Sequence, residues 1–344
     1  MIKISLVVAC FNIEKYISAC LDSLLNQDIS PNEYEIICVN DCSTDNTEYI
    51  IRNYMENNTN IKLINHSKNK KLGAVRNTGR FAAKGRYIWF VDGDDMIKPN
   101  VLLGLVSLSE ANDLDELLFN HDRINDENIF LDKDNTFIDS ETTYTGIEFV
   151  NVLFNSELTK LSIVWNHIYR TDYLAENNFL SPEINMGEDA PFAWRTLLFA
   201  SKVMSISESC YVYRFNETSM TYEFKYKRPS LNKIYEKSIL TSIALVELMH
   251  DLNHIDEKIV ENLYKAIEWN VNSFSTYLLK DYDLSDSKQV YLYFKSHGET
   301  IEALSEYFNK SNQGFLYSLS KNSFASLIWR ITLKVKQLIR GFLK

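Results

Sequence analysis

Three carboxylates stand together directly after an apolar run. Asp92, Asp94 and Asp95 surround Gly93 and follow the segment Tyr87–Val91. Crowded carboxylates repel each other, and Mg²⁺ or Mn²⁺ relieves that repulsion by taking oxygen ligands from protein carboxylates and substrate phosphates. Gly93 lets the backbone turn so that Asp92 and Asp94 face the same point. The cluster predicts a metal site at Asp94 and Asp92; an acidic turn that simply ends a strand is the alternative.

A second acidic pair, Glu188-Asp189, comes just before residues 192–199, whose apolar side chains have helical spacing. A hydroxyl nucleophile needs a general base because its own pKa lies far above neutrality, and a positioned carboxylate contributes roughly 10²–10⁴-fold in that role. The alternative is helix-start chemistry, because acids in a first helical turn interact favourably with the helix dipole, by about 0.3–1 kcal/mol. From these residues alone both interpretations stay open.

The acidic cluster needs an element that holds it, and Tyr87–Val91 provides one. Its unbroken apolar run is typical of a parallel strand that is covered on both faces. Three earlier strand-like segments, Ile2–Ala9, Tyr34–Val39 and Ile61–Ile64, alternate with segments of helical spacing. This alternation predicts a doubly wound α/β sheet, in which ligands bind outside the carboxyl ends of the strands.

The strand ends supply Asn12, Asp41, Arg76 and the Asp92–Asp95 cluster. An acid can bind a ribose or a base, a cation can bind an anionic nucleotide, and an acid pair can hold a metal ion. Together they suit a nucleotide diphosphate. The G-x-G-x-x-G fingerprint of NAD-binding sheets and the G-x-x-x-x-G-K-[ST] loop of P-loop enzymes are both absent from the sequence. Asn12 also fits the N-cap of the first helix, Asp41 fits a helix-capping role, and Arg76 alone would be an ordinary surface arginine.

Four segments together resemble glycosyltransferase family 2 in order and spacing. They are residues 7–12, 39–47, 73–79 and 90–95. Enzymes of this family are inverting, metal-dependent transferases that have the GT-A fold and use nucleotide-activated sugars. The resemblance covers about the first 110 residues strongly and continues more loosely to about Phe215. One such segment alone is a weak signal, but four in the right order make chance agreement improbable.

The resemblance implies a role for each donor-side residue. Asp41 would contact the uracil and Arg76 the nucleotide. Asp94 would ligate the metal, and Asp92 would lie near the ribose or the metal. The family often has proline and tyrosine where this chain has Ala9-Cys10-Phe11, and there the backbone rather than the side chain usually matters. The implied cofactor-binding set is Ala9, Phe11, Asn12, Asp41, Arg76, Asp92 and Gly93.

The same resemblance assigns the acceptor side. Asp189 would be the base, and Glu188 would support it or bind the acceptor. The segment Val164–Arg170 resembles a Trp-Asn-Lys-x-Tyr stretch that lies near the donor sugar and acceptor in the family, with His167 in place of the lysine. Because histidine is mostly neutral at pH 7, a role that needs a permanent charge is in doubt, and a core or surface histidine is the default.

Two further patterns point to structure rather than to chemistry. His250 and His254 are four residues apart in a predicted helix, in outline like a zinc-protease motif. No third ligand is evident, so a solvated helix face is preferred. Cys38 and Cys42 lack a second pair of ligands, and core packing is the better interpretation.

The composition indicates a globular protein in a reducing compartment. With 344 residues the length favours two or three domains, and the formal charge of −10 argues against a nucleic-acid partner, since phosphate binding needs a basic footprint. The five cysteines form no paired motif, and the N-terminus has no leader of signal-peptide form. No apolar run reaches the roughly 18 residues that suggest a membrane span. A cytoplasmic location is expected.

The predicted organisation has four parts. Residues 1–110 form the nucleotide-sugar-binding half of a GT-A domain, and residues 111–225 form its acceptor-binding half. A helical domain follows at residues 226–320, and residues 321–344 form a basic amphipathic helix. The predicted fold class is therefore a GT-A, Rossmann-like, mostly parallel α/β sheet with flanking helices, followed by an all-helical region.

The C-terminal helix has the pattern of one that lies in a membrane surface. From Phe324 onward apolar residues recur on one face, and no acidic residue follows Glu306. Each basic residue near an anionic leaflet is worth about 1 kcal/mol, so we expect peripheral binding at the inner face of the plasma membrane. Docking on the catalytic domain is the alternative. Flotation with anionic and neutral liposomes tests this, and equal behaviour of the full chain and a chain truncated before Phe324 would contradict it.

The sequence as a whole predicts an inverting glycosyltransferase that moves a hexose or N-acetylhexosamine from a UDP-sugar to a saccharide hydroxyl. The resemblance favours a lipid-linked acceptor in bacterial surface polysaccharide synthesis. The alternative is a non-catalytic nucleotide-sugar-binding subunit of the same fold. A nucleotidyltransferase would need a basic glycine-rich loop after the first strand, which is missing. The sugar, the acceptor, the linkage and the oligomeric state, a homodimer included, stay open.

Overall fold

The structure is a computed structural model, and it describes residues 1–140, 142–153, 163–184 and 186–217, with residues 219, 222, 226, 230, 237, 241, 244, 245 and 248. The chain divides into two compact units, and the first consists of Met1–Tyr226 and Asp256–Ile259. The elements described below belong to this unit. Apart from those single positions, the predicted helical domain at residues 226–320 and the basic helix at residues 321–344 lie outside the described residues. The four predicted domain boundaries stay predictions.

Nine strands of the described chain form one sheet in the order β3-β2-β1-β4-β8-β6-β9-β5, and β7 pairs with β6. The strands are Ile4–Cys10 (β1), Tyr34–Asn40 (β2), Ile61–Asn65 (β3), Tyr87–Asp92 (β4), Met96–Ile97 (β5), Glu116–Asn125 (β6), Phe130–Lys133 (β7), His167–Arg170 (β8) and Val203–Phe215 (β9). The helices are Ile17–Leu25 (α1), Thr47–Asn57 (α2), Lys71–Ala82 (α3), Leu102–Asn112 (α4), Gly146–Leu153 (α5), Thr171–Glu176 (α6) and Asp189–Phe199 (α7). The predicted α/β fold class is confirmed.

The first four strands run parallel and bring the candidate residues to one edge of the sheet. Nearly every residue of β1, β2 and β4 is buried, which agrees with their apolar sequences. In the register, Ala9 pairs with Asp92 and Cys10 pairs with Asn40. Asp41 therefore begins the loop after β2 at the same edge as the acidic cluster after β4, as the strand-end argument predicts.

The second half of the sheet is mixed. Strand β8 pairs antiparallel with both β4 and β6, whereas β6 pairs parallel with β9. The predicted mostly parallel arrangement therefore describes β1 to β4. An antiparallel neighbour does not need the helical crossover that joins parallel strands, so the alternation of strands and helices in the sequence stops being a guide after β4.

Aromatic side chains fill the core next to the end of β4. Trp89 packs edge-on against Phe119 with ring centroids 4.9 Å apart. Trp165 stacks on Tyr211 with centroids 4.3 Å apart and planes at 16°. Trp89 Nε1 donates a hydrogen bond to the Trp165 carbonyl at 2.7 Å, so the buried indole is satisfied. These contacts give β4, β6 and β9 a close-packed support beneath the acidic cluster.

The predicted N-cap role of Asn12 is wrong. Helix α1 begins at Ile17 and has Tyr16 at its N-cap. Asn12 has a φ of 52°, a left-handed conformation that asparagine tolerates, and its Oδ1 accepts a hydrogen bond from Thr44 N at 2.8 Å. Asn12 thus joins the loop after β1 to the loop after β2. In the described part of the chain, no helix is long and apolar enough to cross a membrane.

Candidate active site

The acidic cluster forms a tight turn at the end of β4. Asp95 N donates to Asp92 O at 2.9 Å, and Gly93 N donates to Ala9 O at 3.0 Å, which ties the turn to β1. A Cβ on Gly93 would lie 2.6 Å from Ala9 O and would overlap Ile13. The predicted turn is present, but glycine is needed there because two strands approach closely, and not for a left-handed φ.

Asp95 serves the structure of this turn. It is 1% exposed, and its Oδ2 accepts a hydrogen bond from Tyr211 OH at 2.8 Å while its Oδ1 accepts one from Arg214 N at 2.7 Å. Burial, with the nearby charges of Asp94 and Asp92, raises the pKa of Asp95 well above its ordinary value. Both oxygens of Asp95 thus accept hydrogen bonds from residues of β9.

Asp94 and Asp92 carry the carboxylate oxygens that hard divalent cations take as ligands. Burial raises the pKa of Asp94, and burial raises that of Asp92 to about 6 even though Arg76 opposes the rise. A bound cation would offset the cost of placing these two partly buried carboxylates side by side. Among the described residues, no three His, Cys, Asp or Glu side chains gather into a metal cage. Two carboxylates suit an ion of the Mg²⁺ type, which completes its shell with waters and substrate phosphates.

Arg76 connects the two acidic sites. Its side chain is 2% exposed, its Nη1 donates to Asp189, and the same atom lies 3.6 Å from Glu188 Oε1. Its Nη2 lies 3.4 Å from Asp92 Oδ1. Burial alone would lower the pKa of Arg76, but the three carboxylates outweigh burial and hold that pKa above its ordinary value. The surface-arginine alternative is therefore wrong, and the buried cation contacts an acid that lies 113 residues away from it in the sequence.

The two members of the second acidic pair differ in environment. Glu188 is 6% exposed, and burial, reinforced by the Asp189 charge, raises its pKa to about 8. Asp189 is the first residue of α7 and keeps 28% of its side chain exposed. A general base must reach the hydroxyl of its substrate, so the greater exposure of Asp189 favours that residue for the role. Its assignment as the base stays a prediction.

Helix α3 holds the segment that leads to this pair. The Asn77 side chain exchanges two hydrogen bonds with the Ser181 backbone, Nδ2 to O at 2.9 Å and N to Oδ1 at 2.8 Å. A Cβ on Gly73 would overlap the Pro182 carbonyl, so only glycine lets the two segments approach this closely. Helix α3 therefore carries Arg76 and also positions the chain just before Glu188.

Asp41 is a buried cap of α3. It is 2% exposed, and its oxygens accept hydrogen bonds from Lys70 N and Lys71 N, both at 2.8 Å. His66 Nδ1 lies 2.7 Å from the same carboxylate, and His66 Nε2 lies 2.8 Å from Thr78 Oγ1. Asp41 thus does have a capping role, at α3 rather than at α2. Its implied contact with the uracil stays a prediction.

The remaining cofactor-binding candidates lie at the end of β1. Ala9 is bonded to the acidic turn through its carbonyl oxygen, and Asn12 is bonded to the loop after β2. Phe11, between them, leaves 46% of its surface exposed. The structure thus brings all seven candidates to the sheet edge or to α3, and their contacts with a nucleotide stay predictions.

His167 is a core residue. It is fully buried on β8, its Nδ1 is bonded to Glu116 Oε1 of β6, and its ring stacks on Tyr169 with centroids 5.6 Å apart. A buried acid of the neighbouring strand and an aromatic ring hold the imidazole, so the default interpretation of a core histidine is correct.

Comparison with known proteins identifies the family of the chain. The sequence model of "Glycosyl transferase family 2" matches residues 5–176, which is half of the chain and includes Asp41, Arg76 and the acidic turn.

The chain belongs to glycosyltransferase family 2.

Two bacterial relatives illustrate the match. The chain is 32% identical over 244 residues to the "Uncharacterized glycosyltransferase EpsJ" of Bacillus subtilis. The match covers 70% of this chain and 69% of EpsJ. This chain is 28% identical over 309 residues to "Poly(ribitol-phosphate) beta-N-acetylglucosaminyltransferase TarS" of Staphylococcus aureus, and the match covers 89% of this chain. The chain spans about half the length of TarS, 50% in that comparison.

A solved structure of TarS residues 1–349 in complex with UDP-GlcNAc is similar to this family 2 chain. The TM-score is 0.67 at 25% identity, and the match covers 88% of this chain and 81% of the TarS chain. The GT-A fold of the prediction is thereby confirmed, and the family assignment is confirmed with it.

Sequence reasoning missed three polar residues that hold this family 2 site. His66 contacts Asp41, and Arg214 and Asn216 contact the turn that carries Asp94. The strand-end rule that found the acidic cluster would also have found Arg214 and Asn216, because one is the penultimate residue of β9 and the other directly follows the strand. His66 follows β3 in the same way.

Proposed function

We propose that this chain is an inverting glycosyltransferase that moves a hexose or an N-acetylhexosamine from a UDP-sugar to a hydroxyl group of a saccharide acceptor. The observation that carries the proposal is the contact of Arg76 with both Asp92 and Asp189. This contact places the donor-side acid and the candidate base next to each other. A single displacement needs that proximity, because base, hydroxyl and anomeric carbon must meet in one geometry.

In this reaction Asp189 takes the proton of the acceptor hydroxyl while the hydroxyl oxygen attacks the anomeric carbon. The bond between that carbon and the diphosphate oxygen breaks on the opposite face, so the configuration inverts. Arg76 holds the Asp189 carboxylate in position, and Glu188, whose pKa burial raises, lies beside the pair and supports it. A divalent ion held by Asp94 and Asp92 would supply positive charge for the leaving diphosphate.

The names of the relatives support the donor class. TarS is a β-N-acetylglucosaminyltransferase whose structure holds UDP-GlcNAc, and a 34% identical relative from Bacillus spizizenii is a poly(ribitol-phosphate) β-glucosyltransferase. Both a hexose and an N-acetylhexosamine therefore occur as transferred sugars among relatives. A lipid-linked acceptor at the inner face of the membrane is the further part of the proposal. The acceptor class rests on the family resemblance, and the membrane location rests on the basic sequence of residues 321–344.

The alternative of a non-catalytic binding subunit predicts donor binding without turnover. Release of UDP from a panel of UDP-sugars, with Mn²⁺ or Mg²⁺ and with saccharide acceptors, separates the two. We expect release that depends on the divalent ion. Donor binding with no release in any combination would favour the alternative.

The change Asp94→Ala tests the metal assignment. We expect it to abolish divalent-dependent UDP binding, because few other oxygens are available to hold an ion. The fold should survive, since Asp95 keeps both of its bonds to β9. Calorimetric titration with UDP, with and without Mn²⁺, measures the effect, and Asp132→Ala on the exposed strand β7 is the control. Undiminished Mn²⁺ dependence in Asp94→Ala would show that the metal lies elsewhere.

A further inference from the structure

Arg214 is a buried cation whose contacts begin at the acidic turn. The residue is 3% exposed. Its Nε donates to the Asp94 carbonyl at 3.1 Å, and its backbone N donates to Asp95 Oδ1 at 2.7 Å. Arg214 therefore fixes the backbone at Asp94 and leaves the Asp94 carboxylate to other partners.

The rest of the Arg214 guanidinium joins this turn to two other segments. Nη1 donates to Asn128 Oδ1 at 2.8 Å, in the hairpin between β6 and β7. The guanidinium carbon lies 5.4 Å from the ring centre of Tyr16, the N-cap residue of α1. The planar guanidinium group donates in several directions and lies over an aromatic ring, and the ammonium group of lysine cannot reproduce both contacts. One side chain thus holds the turn against the hairpin and against α1.

Asn216 acts on the carboxylate itself. It is 1% exposed, and its Nδ2 donates to Asp94 Oδ2 at 3.0 Å. An ionised carboxylate has two oxygens that only accept, so a hydrogen bond that fixes one oxygen also sets the direction of the other. Arg214 and Asn216 together determine both the backbone and the side-chain orientation of Asp94.

We propose that Arg214 and Asn216 are positioning residues that orient Asp94 for the divalent ion and, through that ion, for UDP. Both residues come from β9 and the position just after it, beyond residue 176, where the family match ends. A segment from the acceptor-side half of the sheet therefore sets the donor-side geometry. This inference rests on the proposed function, because it takes Asp94 as the metal ligand.

Calorimetric titration of the full chain with UDP, with and without Mn²⁺, tests the inference. Asn216→Ala removes one hydrogen bond to the carboxylate, and Arg214→Lys keeps the charge but loses the planar guanidinium group. A hydrogen bond to a charged group is worth about 1.5–3 kcal/mol, so each variant is expected to weaken Mn²⁺-dependent UDP binding roughly ten- to a hundredfold. UDP binding without Mn²⁺ should change little.

Asn112→Ala and Arg123→Lys are the matched controls. Asn112 bonds to the Leu108 carbonyl within α4, and Arg123 pairs with Asp132 in the β6–β7 hairpin. Each control makes the same substitution as its test variant at a residue with a different partner, and both are expected to bind UDP and Mn²⁺ as the unaltered chain does.

The outcomes separate the inference from the proposed function. A lower melting temperature with an unchanged Kd for UDP in the presence of Mn²⁺ would mean a purely structural role and would overturn the inference alone. If Arg214→Lys does not fold, Asn216→Ala decides the question by itself. If the unaltered chain binds no UDP, or binds it equally with and without Mn²⁺, the metal-dependent function is wrong and this inference falls with it.

Discussion

Asp189→Asn is expected to reduce sugar transfer roughly 10²–10⁴-fold, the contribution of a positioned general base, while UDP-sugar binding stays as in the unaltered chain. An amide cannot take the proton of the acceptor hydroxyl at neutral pH. Its oxygen can still accept the hydrogen bond from Arg76 Nη1, so the geometry that the ion pair maintains should persist. Single-turnover transfer with a competent acceptor, alongside calorimetric donor binding, measures the two effects separately.

Glu188→Gln is the matched control for that change. Burial raises the Glu188 pKa, which favours its neutral form, and glutamine is a neutral side chain of the same length. We therefore expect a much smaller loss of transfer than in Asp189→Asn. Equal transfer rates in Asp189→Asn and the unaltered chain would remove Asp189 from the mechanism. A larger loss of transfer in Glu188→Gln than in Asp189→Asn would make Glu188 the base and Asp189 the supporting acid.

Arg76→Gln is expected to lower the free energy of unfolding by about 3–5 kcal/mol, the usual cost of removing one partner from a buried ion pair. Glutamine would leave Asp92, Glu188 and Asp189 facing one another without a cation. Urea denaturation measures the loss. The matched control is Arg80→Gln on the same helix, because Arg80 is also buried but donates to the Leu174 carbonyl rather than to an acid.

The pH dependence distinguishes the two arginine variants. Arg76 opposes the raised pKa values of Asp92 and Glu188, so without it both values in the folded chain rise further. An acid whose folded pKa is raised contributes less stability as the pH increases through that range. The penalty of Arg76→Gln should therefore be larger at pH 8 than at pH 5. The penalty of Arg80→Gln should be similar at both values. The same pH dependence in both variants would show that Arg76 does not act through the carboxylates.

The donor side of the site could be predicted because it depends on local sequence. Apolar strands and the polar residues at their ends are continuous in the chain, and parallel strands bring those ends to one edge. The acidic turn and Asp41 lie where that rule puts them. The reason for Gly93 could not be predicted even there. Glycine is required because Ala9 O, 84 residues away in the sequence, approaches it closely, and no local pattern reveals that contact.

The contacts that join the two sides of the site could not be predicted from local patterns. Arg76 looks like any helical arginine until the fold brings Asp189 to it. His167 occupies a position that the family resemblance places near the substrates, yet its partner is the buried Glu116 on the adjacent strand. Asn12 follows the helix-cap pattern but bonds to Thr44. In each case a tertiary contact decided between interpretations that the sequence left open.

The most direct test of the account is the anomeric configuration of the transferred sugar. Nuclear magnetic resonance of the product formed from a UDP-sugar and a competent acceptor gives this configuration. One displacement, with Asp189 as base on the face opposite the nucleotide, predicts the configuration opposite to that of the donor. Retention of the donor configuration would contradict that mechanism and, with it, the role given to the site around Arg76.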